Sequence, residues 1–382
     1  MGFLDNILNK FQNKNTTPTH KPGESVLVTG ANGFIAGHII DGLLAKGYQV
    51  IGTVRSTTKS EPFEELFKKK YPNGKLTYEI VTDITKAGAF DNVLKKHPEI
   101  KVVLHCAAST AVGGTAIEDM KKIFLEPALE GTKGILTSVQ QFAPQVTDVV
   151  MTSSVASLCH DFYSLPAARE FSAKDWSTGD WDRDVGTNQL TAYSLSKAYS
   201  ERYAWQFVKE NKVNYKLSTI LPSVVVGPQL LESKVTKQLN LSNQWMLNMV
   251  YSVKLDSTEY ANEPFFTIVD VKDIVNYHIL AFENPKLRGE RIFVSQKSSL
   301  TPQELIDLLN EKYPQLRGKI GKGDPNGKCS GLALIKFNMD EHLKAANYKL
   351  VPQEETLIGM FDQYLKHHTL DVTEQTAVSL PW

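Results

Sequence analysis

Tyr193 and Lys197 stand four residues apart in Tyr193-Ser194-Leu195-Ser196-Lys197, a spacing that puts both on one face of a helix. An ammonium beside a phenol favours the phenolate and lowers the phenol pKa. Such a tyrosine can give its proton to a carbonyl oxygen as hydride arrives at the carbon. By itself the pair is common, and an exposed helix pair is the plain alternative. Ser154 changes that weighting. It follows Val149-Val150-Met151 through Thr152-Ser153, which puts a hydroxyl at the carboxyl end of a strand, where sheets of this kind bind ligands. Its O–H can donate to the substrate carbonyl and help hold a developing oxyanion.

A hydride needs a donor, and a second group of residues supplies a place for one. Ser25-Val26-Leu27-Val28-Thr29 is an apolar run that leads into Gly30-Ala31-Asn32-Gly33-Phe34-Ile35-Ala36-Gly37. Gly30 permits a tight turn from strand to helix, Gly33 lets a pyrophosphate approach the backbone, and Ala36 keeps helix and sheet close. The free N–H groups and positive dipole end of the helix start attract phosphate. Gly30, Asn32, Gly33, Phe34 and Ile35 therefore form the candidate cradle, in the strand–turn–helix context that such a motif requires. The next strand ends Thr53-Val54-Arg55, with Lys59 close behind, where an NAD site usually carries Asp or Glu for the ribose 2′-hydroxyl. Arg55 can pair with a 2′-phosphate through charge-assisted bonds, and Lys59 adds a second positive charge. The expected cofactor is NADP(H). Two solvated surface cations are the alternative.

These groups need a scaffold that brings distant segments together. Strands are predicted at 25–28, 49–54, 76–81, 101–105, 146–151 and 214–221, and helices at 35–44, 63–71, 86–96, 117–142 and 193–211. The alternation implies an α/β protein with a Rossmann-type, doubly wound parallel sheet. Past Pro222 it weakens. Residues 229–262 are more helical, 265–270 and 291–295 read as strands around a helix at 271–283, and 302–313 and 353–367 read as helices, with loops over 316–332. The chain divides into an N-terminal amphipathic segment and linker (1–22), an NADP-binding Rossmann domain (23–228) and a mainly substrate-binding, smaller C-terminal lobe (229–382), with 265–296 returning to the Rossmann sheet. Asp270 and Asp273 are read as caps of the helix that follows.

Bulk properties narrow the class. The 382 residues are 42% hydrophobic and 22% charged, which fits a folded globular chain rather than a disordered one. Lys plus Arg equals Asp plus Glu, 42 each, so the basic excess of a nucleic-acid binder is missing. No apolar run is long enough to span a membrane. Cys106, Cys159 and Cys329 are too few and too scattered for a disulfide framework or a zinc site, which points to a reducing, cytoplasmic location. His367-His368 lacks carboxylate or cysteine companions, so no metal site is expected. Cys159-His160 is no catalytic pair, because neighbours in an extended stretch point opposite ways. Phe3, Leu4, Ile7, Leu8 and Phe11 recur at helical spacing. A docked helix or loose tail is the simpler reading, and a weak membrane or partner contact through residues 3–11 the other.

The cradle, Thr152-Ser153-Ser154, the Tyr193/Lys197 pair and Leu221-Pro222-Ser223-Val224-Val225-Val226-Gly227-Pro228 resemble the extended short-chain dehydrogenases/reductases. Asn32-Gly33-Phe34-Ile35-Ala36, Val54-Arg55-Ser56 and Tyr193-Ser194-Leu195-Ser196-Lys197 are more narrowly similar to the fungal NADPH-dependent methylglyoxal and carbonyl reductases, relatives of plant dihydroflavonol 4-reductases. The resemblance covers roughly residues 24–365. It implies that Asp83-Ile84 meets the adenine end of the cofactor and that Ala107-Ala108-Ser109 lines it. Pro222 and Val225 then hold the nicotinamide carboxamide. It implies a catalytic set of Ser154, Tyr193 and Lys197, with Lys197 also bonded to the nicotinamide ribose. Two departures fall where a substrate sits. The family often has Ser-Pro and an aromatic after the fourth strand, where this chain has Ser109-Thr110-Ala111. Relatives often carry an aromatic at position 224, here Val224. Thr110, Leu158, Phe162, Tyr163, Val224 and Trp176 are the candidate pocket residues.

The expected activity is NADPH-dependent reduction of a small-molecule aldehyde or ketone to an alcohol. An NAD-dependent sugar-nucleotide epimerase, a hydroxysteroid or sterol dehydrogenase, and a non-catalytic NADPH sensor remain as alternatives. The missing acid after the second strand argues against the first, and the intact Ser/Tyr/Lys set against the last.

Overall fold

The computed structural model describes residues 18–108, 117–161, 169–186, 188–327 and 336–373. Strand and helix alternate through β1 (Ser25–Thr29), α1 (Phe34–Ala45), β2 (Gln49–Val54), α2 (Thr57–Lys70), β3 (Leu76–Ile80), α3 (Asp91–Lys96) and β4 (Ile100–His105). A continuous helical run α4 follows, made of Ile117–Met120, a π-helical turn Lys121–Leu125 and Glu126–Phe142. Next come β5 (Asp148–Thr152), β6 (Glu170–Phe171), α5 (Trp181–Asp184), α6 (Gln189–Glu210), β7 (Lys216–Pro222) and β8 (Val224–Val226). The chain continues with α7 (Leu241–Ser252), β9 (Ile268–Asp270), α8 (Val271–Glu283), β10 (Arg291–Val294), α9 (Pro302–Lys312), β11 (Lys336–Phe337), α10 (Asp340–Ala346) and α11 (Gln353–Leu365).

Seven strands form one sheet in the order β10-β7-β5-β4-β1-β2-β3, every neighbouring pair parallel. This is the Rossmann-type α/β fold expected from the alternation. The central strands are apolar on both faces because helices cover both. Val26 and Val28 belong to a core shared with α1 and α8, and Leu27 to one shared with α4 and α6. That is the period-two alternation of a strand. A separate core unites α7, α9 and α11 in the lobe.

The 265–296 segment does not return to the sheet as a block. β10 joins its edge beside β7, whereas residues 268–270 pair with β8 in a separate two-stranded ladder. The chain leaves the main sheet just after Pro222, which lacks the N–H needed to extend a ladder. Element limits differ from the sequence reading at two informative places, and a third element keeps its limits but not its regularity. α2 begins at Thr57, not 63, and carries Pro62 inside it. α6 begins at Gln189, because the Asn188 side chain accepts from the N–H groups of Leu190 and Thr191 and caps it. α4 widens into its π turn just before Pro127, whose missing N–H would break an ordinary helical ladder.

Residues 18–22 are docked. The Thr19 hydroxyl donates to the carbonyls of Phe282 and Glu283 at the end of α8. The His20 ring bonds Glu24 at 2.5 Å and Asp148 at 2.8 Å, and Arg288 bonds Asp148 from the other side. Burial opposes protonation of His20, but the bonds to Asp148 and Glu24 more than offset it and raise its pKa above the ordinary value. A histidine held more basic by folding adds stability that is complete below its unfolded pKa and lost as pH rises through the folded one. The parent chain is therefore expected to lose unfolding free energy, relative to His20→Gln, over the pH range that runs upward from the unfolded value of 6.5. Parallel denaturant curves for the two proteins across that window would give the same pH slope if the clasp contributes nothing.

Candidate active site

The glycine turn is shaped by its neighbours. Gly30 has φ +67°, and a Cβ there would lie 2.9 Å from the Ala107 Cα at the end of β4. Only glycine takes that conformation and that approach at little cost. The Gly33 N–H donates to the Gly30 carbonyl at 2.9 Å, and Gly33 caps α1 with no side-chain bond to its first turn. The opening N–H groups of α1, from Phe34 and Ile35 onward, thus lack both intrahelical partners and a side-chain cap. Asn32, Phe34 and Ile35 are half-buried around them. A cavity of about 470 Å³ opens on this side, lined by Asn32, Gly33, Phe34, His38 and Phe63 and by residues from the 229–240 stretch after β8.

Arg55 and Lys59 are exposed at the end of β2 and the start of α2. Asp83 follows β3. The Thr85 hydroxyl and N–H donate to its carboxylate at 2.7 and 2.9 Å. Those bonds, helped by Lys86 and Arg55, hold its pKa below the usual carboxylate range. Ile84 packs against Gly131 of α4, where a Cβ would meet its side chain at 3.0 Å. Ala107 and Ala108 follow β4 and are half-buried. The unpaired N–H groups at the start of α1, the glycine turn a side chain would fill, and Arg55 and Lys59 where an acid would stand at the end of β2 fit a dinucleotide with a 2′-phosphate.

Ser154, Tyr193 and Lys197 converge from two elements. Ser154 sits just past β5 and caps a short 3₁₀ turn, Val155–Ser157, its Oγ accepting from the Ala156 N–H at 3.1 Å. That bond leaves the O–H proton available for a substrate oxygen. Tyr193 lies in the second turn of α6, half-buried, and Lys197 is buried one turn further. The Lys197 Nζ is 5.8 Å from the centre of the Tyr193 ring and donates to the Thr152 carbonyl at 3.4 Å. Thr152 is itself fixed. Its hydroxyl donates to His278 Nε2 at 2.8 Å, because His278 Nδ1 is bonded to the Ile274 carbonyl.

Behind these groups lie residues that the sequence reading missed. The Thr29 hydroxyl accepts from the N–H groups of Cys106 and Ala107, each at 3.1 Å, so its proton goes to His105 Nδ1 at 2.9 Å. Burial, with the Lys197 ammonium nearby, pushes the His105 pKa down to about 3. Burial pushes His278 down to about 4 and lifts the Cys106 thiol to about 11. Near neutrality both rings are uncharged and the thiol keeps its proton, so the charge beside them is that of buried Lys197. A buried carboxylate, Glu201, stands one turn beyond Lys197 and is paired with Arg291 of β10. Its four-residue step from Lys197 was the one legible hint.

The remaining candidates scatter. Pro222 closes β7, Val225 is buried in β8, and Val224 is half-buried beside it. Leu158 is packed in the core at 2% exposure. Trp176 stacks on Arg291, the guanidinium carbon 3.7 Å from a ring centre, which gives it a packing role. Ser109, Thr110, Phe162 and Tyr163 lie outside the described residues. Among the described residues no cluster of His, Cys, Asp and Glu could hold a metal, and no helix is long and apolar enough to cross a membrane.

The NAD dependent epimerase/dehydratase family matches residues 26–294. The NADPH-dependent methylglyoxal reductase GRE2 of Saccharomyces cerevisiae is 35% identical over 347 residues, which cover 90% of this chain and 98% of that protein. Ketoreductase azaE of Aspergillus niger is 32% identical over 302 residues, 79% of this chain and 86% of that protein. The crystal structure of Gre2 from Candida albicans in complex with NADPH superposes with a TM-score of 0.81 at 36% identity, covering 91% of this chain and 100% of that one. A sheet of this order, a glycine turn of this shape and matches across most of the chain agree: the protein belongs to the NAD dependent epimerase/dehydratase family, among the extended short-chain dehydrogenases/reductases.

Proposed function

We propose that this chain is an NADPH-dependent reductase of small aldehydes and ketones. The observation that carries the reading is the placing of Ser154 beside the helix that bears Tyr193 and Lys197, at the strand ends and two strands over from the glycine turn, with β4 between. Gly30, Asn32, Gly33, Phe34 and Ile35 would hold the pyrophosphate, Arg55 and Lys59 the 2′-phosphate, Asp83 and Ile84 the adenine end, and Ala107, Ala108, Pro222 and Val225 the nicotinamide end. NADPH supplies the hydride when bound. The chain's own part is the proton and the alignment. Ser154 donates to the carbonyl oxygen and holds it while its negative charge grows. The Tyr193 phenol gives that oxygen its proton, so carbon gains hydride, oxygen gains a proton, and an alcohol leaves. Lys197, fixed by the Thr152 carbonyl, supplies the positive charge beside the phenol and can bond the ribose hydroxyls. The π-system of a dicarbonyl or an aromatic ketone is accommodated equally by this chemistry, so substrate choice falls to Val224 and the segments on either side of Leu158. A cytoplasmic location belongs to the same proposal, supported by the free thiols of Cys106 and Cys159.

The test is NADPH consumption against a panel of aldehydes, dicarbonyls and bulky ketones, with NADH alongside. Turnover that prefers NADPH supports the reading, and tightly retained NAD(H) with no consumption would favour an epimerase instead. The double variant Arg55→Ala/Lys59→Ala is expected to raise KM for NADPH about tenfold or more and leave KM for NADH within about twofold, since a charge-assisted bond to an exposed phosphate contributes about 1.5 kcal/mol. An equal rise for both cofactors would remove Arg55 and Lys59 from the 2′-phosphate site.

A further inference from the structure

We infer that Glu201 and Arg291 are positioning residues that set the alignment of Ser154 against Tyr193 and Lys197. The inference rests on the reductase reading above. Glu201 lies on α6 four residues past Lys197 and eight past Tyr193, on the same face. It is fully buried, and Arg291 is 8% exposed. Oε1 accepts from Arg291 Nε at 2.8 Å, from the Thr219 hydroxyl at 2.8 Å and from Trp205 Nε1 at 3.4 Å. Oε2 accepts from the Ser153 hydroxyl at 2.7 Å and from Arg291 Nη2 at 3.2 Å.

Arg291 spends every donor it has. Besides Glu201 it bonds the carbonyls of Ala173 and Asp175 and the Ser157 hydroxyl at 2.9 Å. Ser157 in turn donates to the Ser154 carbonyl at 2.9 Å. The residues before and after Ser154 in this turn are thus tied to one carboxylate: Ser153 directly, Ser157 through the guanidinium. That carboxylate is fixed on the helix that presents the phenol and the ammonium. The pair is buried behind the constellation, with all of its bonds made to protein groups. It joins the two halves of the constellation, a hydroxyl on a loop and a phenol on a helix, in addition to the Lys197–Thr152 bond.

Buried ion pairs are weak stabilisers against well-packed apolar replacements. A fully satisfied one at this place is better understood through geometry, because an error of about 1 Å between reacting groups can lower a rate about 10²-fold. The test is a cycle of variants measured for kcat, KM, NADPH affinity and Tm. Glu201→Gln keeps the shape and loses the charge. It is expected to lower kcat about 10- to 100-fold, with KM and NADPH affinity within about threefold. Ser154→Ala is expected to lower kcat about 10²-fold. The decisive arm is the double variant, in which Glu201→Gln should add less than about threefold to Ser154→Ala, because its effect passes through Ser154. A purely structural role predicts effects that multiply, and that result, or a folded Glu201→Gln with the parent's kcat, overturns the proposal. Ser157→Ala covers failure of Glu201→Gln to fold. It leaves the ion pair intact, cuts the link to the Ser154 carbonyl, and is expected to lower kcat about fivefold or more at nearly unchanged Tm. Parent kcat in folded Ser157→Ala would sink the coupling through Arg291. A parent protein that consumes NADPH with no carbonyl overturns the reductase reading, and this inference with it, whereas failure of the cycle in an active parent leaves that reading standing.

Discussion

Tyr193→Phe is expected to lower kcat about 10³-fold, close to 4 kcal/mol of barrier, and to leave NADPH affinity unchanged. The substitution removes one oxygen. It keeps the ring that Lys197 overlies at 5.8 Å and the helix that Asn188 caps, so the fold and the cofactor cradle should not notice. What disappears is the proton source within reach of the carbonyl oxygen. Ser154 cannot replace it well, because an unperturbed hydroxyl is a far weaker acid than a phenol and its part is to donate a hydrogen bond. Steady-state kinetics with the best carbonyl of the panel, together with NADPH titration by fluorescence, would check both halves. A variant that retains more than a tenth of the parent kcat would assign the proton to water or to another group. A variant that loses NADPH affinity as well would mean that Tyr193 serves binding more than chemistry.

The second large effect comes from backbone. Gly30→Ala is expected to weaken NADPH binding about 100-fold or more, about 2.7 kcal/mol. Two costs combine. At φ +67° an alanine pays about 1–2 kcal/mol that glycine avoids. The new methyl also lies 2.9 Å from the Ala107 Cα and 3.2 Å from its nitrogen. These are backbone atoms that cannot swing aside. Relief requires moving the turn away from β4, and the turn and the β4 exit are the two walls of the proposed cofactor site. Calorimetric titration with NADPH, with Tm measured in the same buffer, separates the site from global damage. Parent-like affinity in a folded Gly30→Ala would show that the turn is not the cradle.

The parts of the site that were legible in the sequence are those encoded locally. A glycine after three apolar residues and a threonine, and before a helical pattern, states its own geometry. Tyr193 and Lys197 share a helical face by their spacing alone, and Ser154 follows its strand directly. The parts that were not legible depend on pairs far apart in the chain. Thr29 meets His105 across 76 residues, Thr152 meets His278 across 126, and Glu201 meets Arg291 across 90. No periodicity marks such partners, because which strand lies beside which is decided by the whole sheet. The same limit explains the 265–296 segment. Both of its strands were recognisable as strands, yet their destinations differ, one to the main sheet edge and one to the β8 ladder. The direction taken after Pro222 decides that, and a residue string does not display it.

The pairing of Glu201 with a residue of β10 also orders events during synthesis. At about 5–20 residues per second, the 90 residues between the two take a ribosome roughly 5–20 s to make. Throughout that interval the nascent helix carries a carboxylate whose guanidinium does not yet exist. Burying it then would leave an uncompensated charge. Packing that helix face against the first six strands is therefore penalised until the seventh arrives, so completion of the chemical centre is coupled to completion of the sheet.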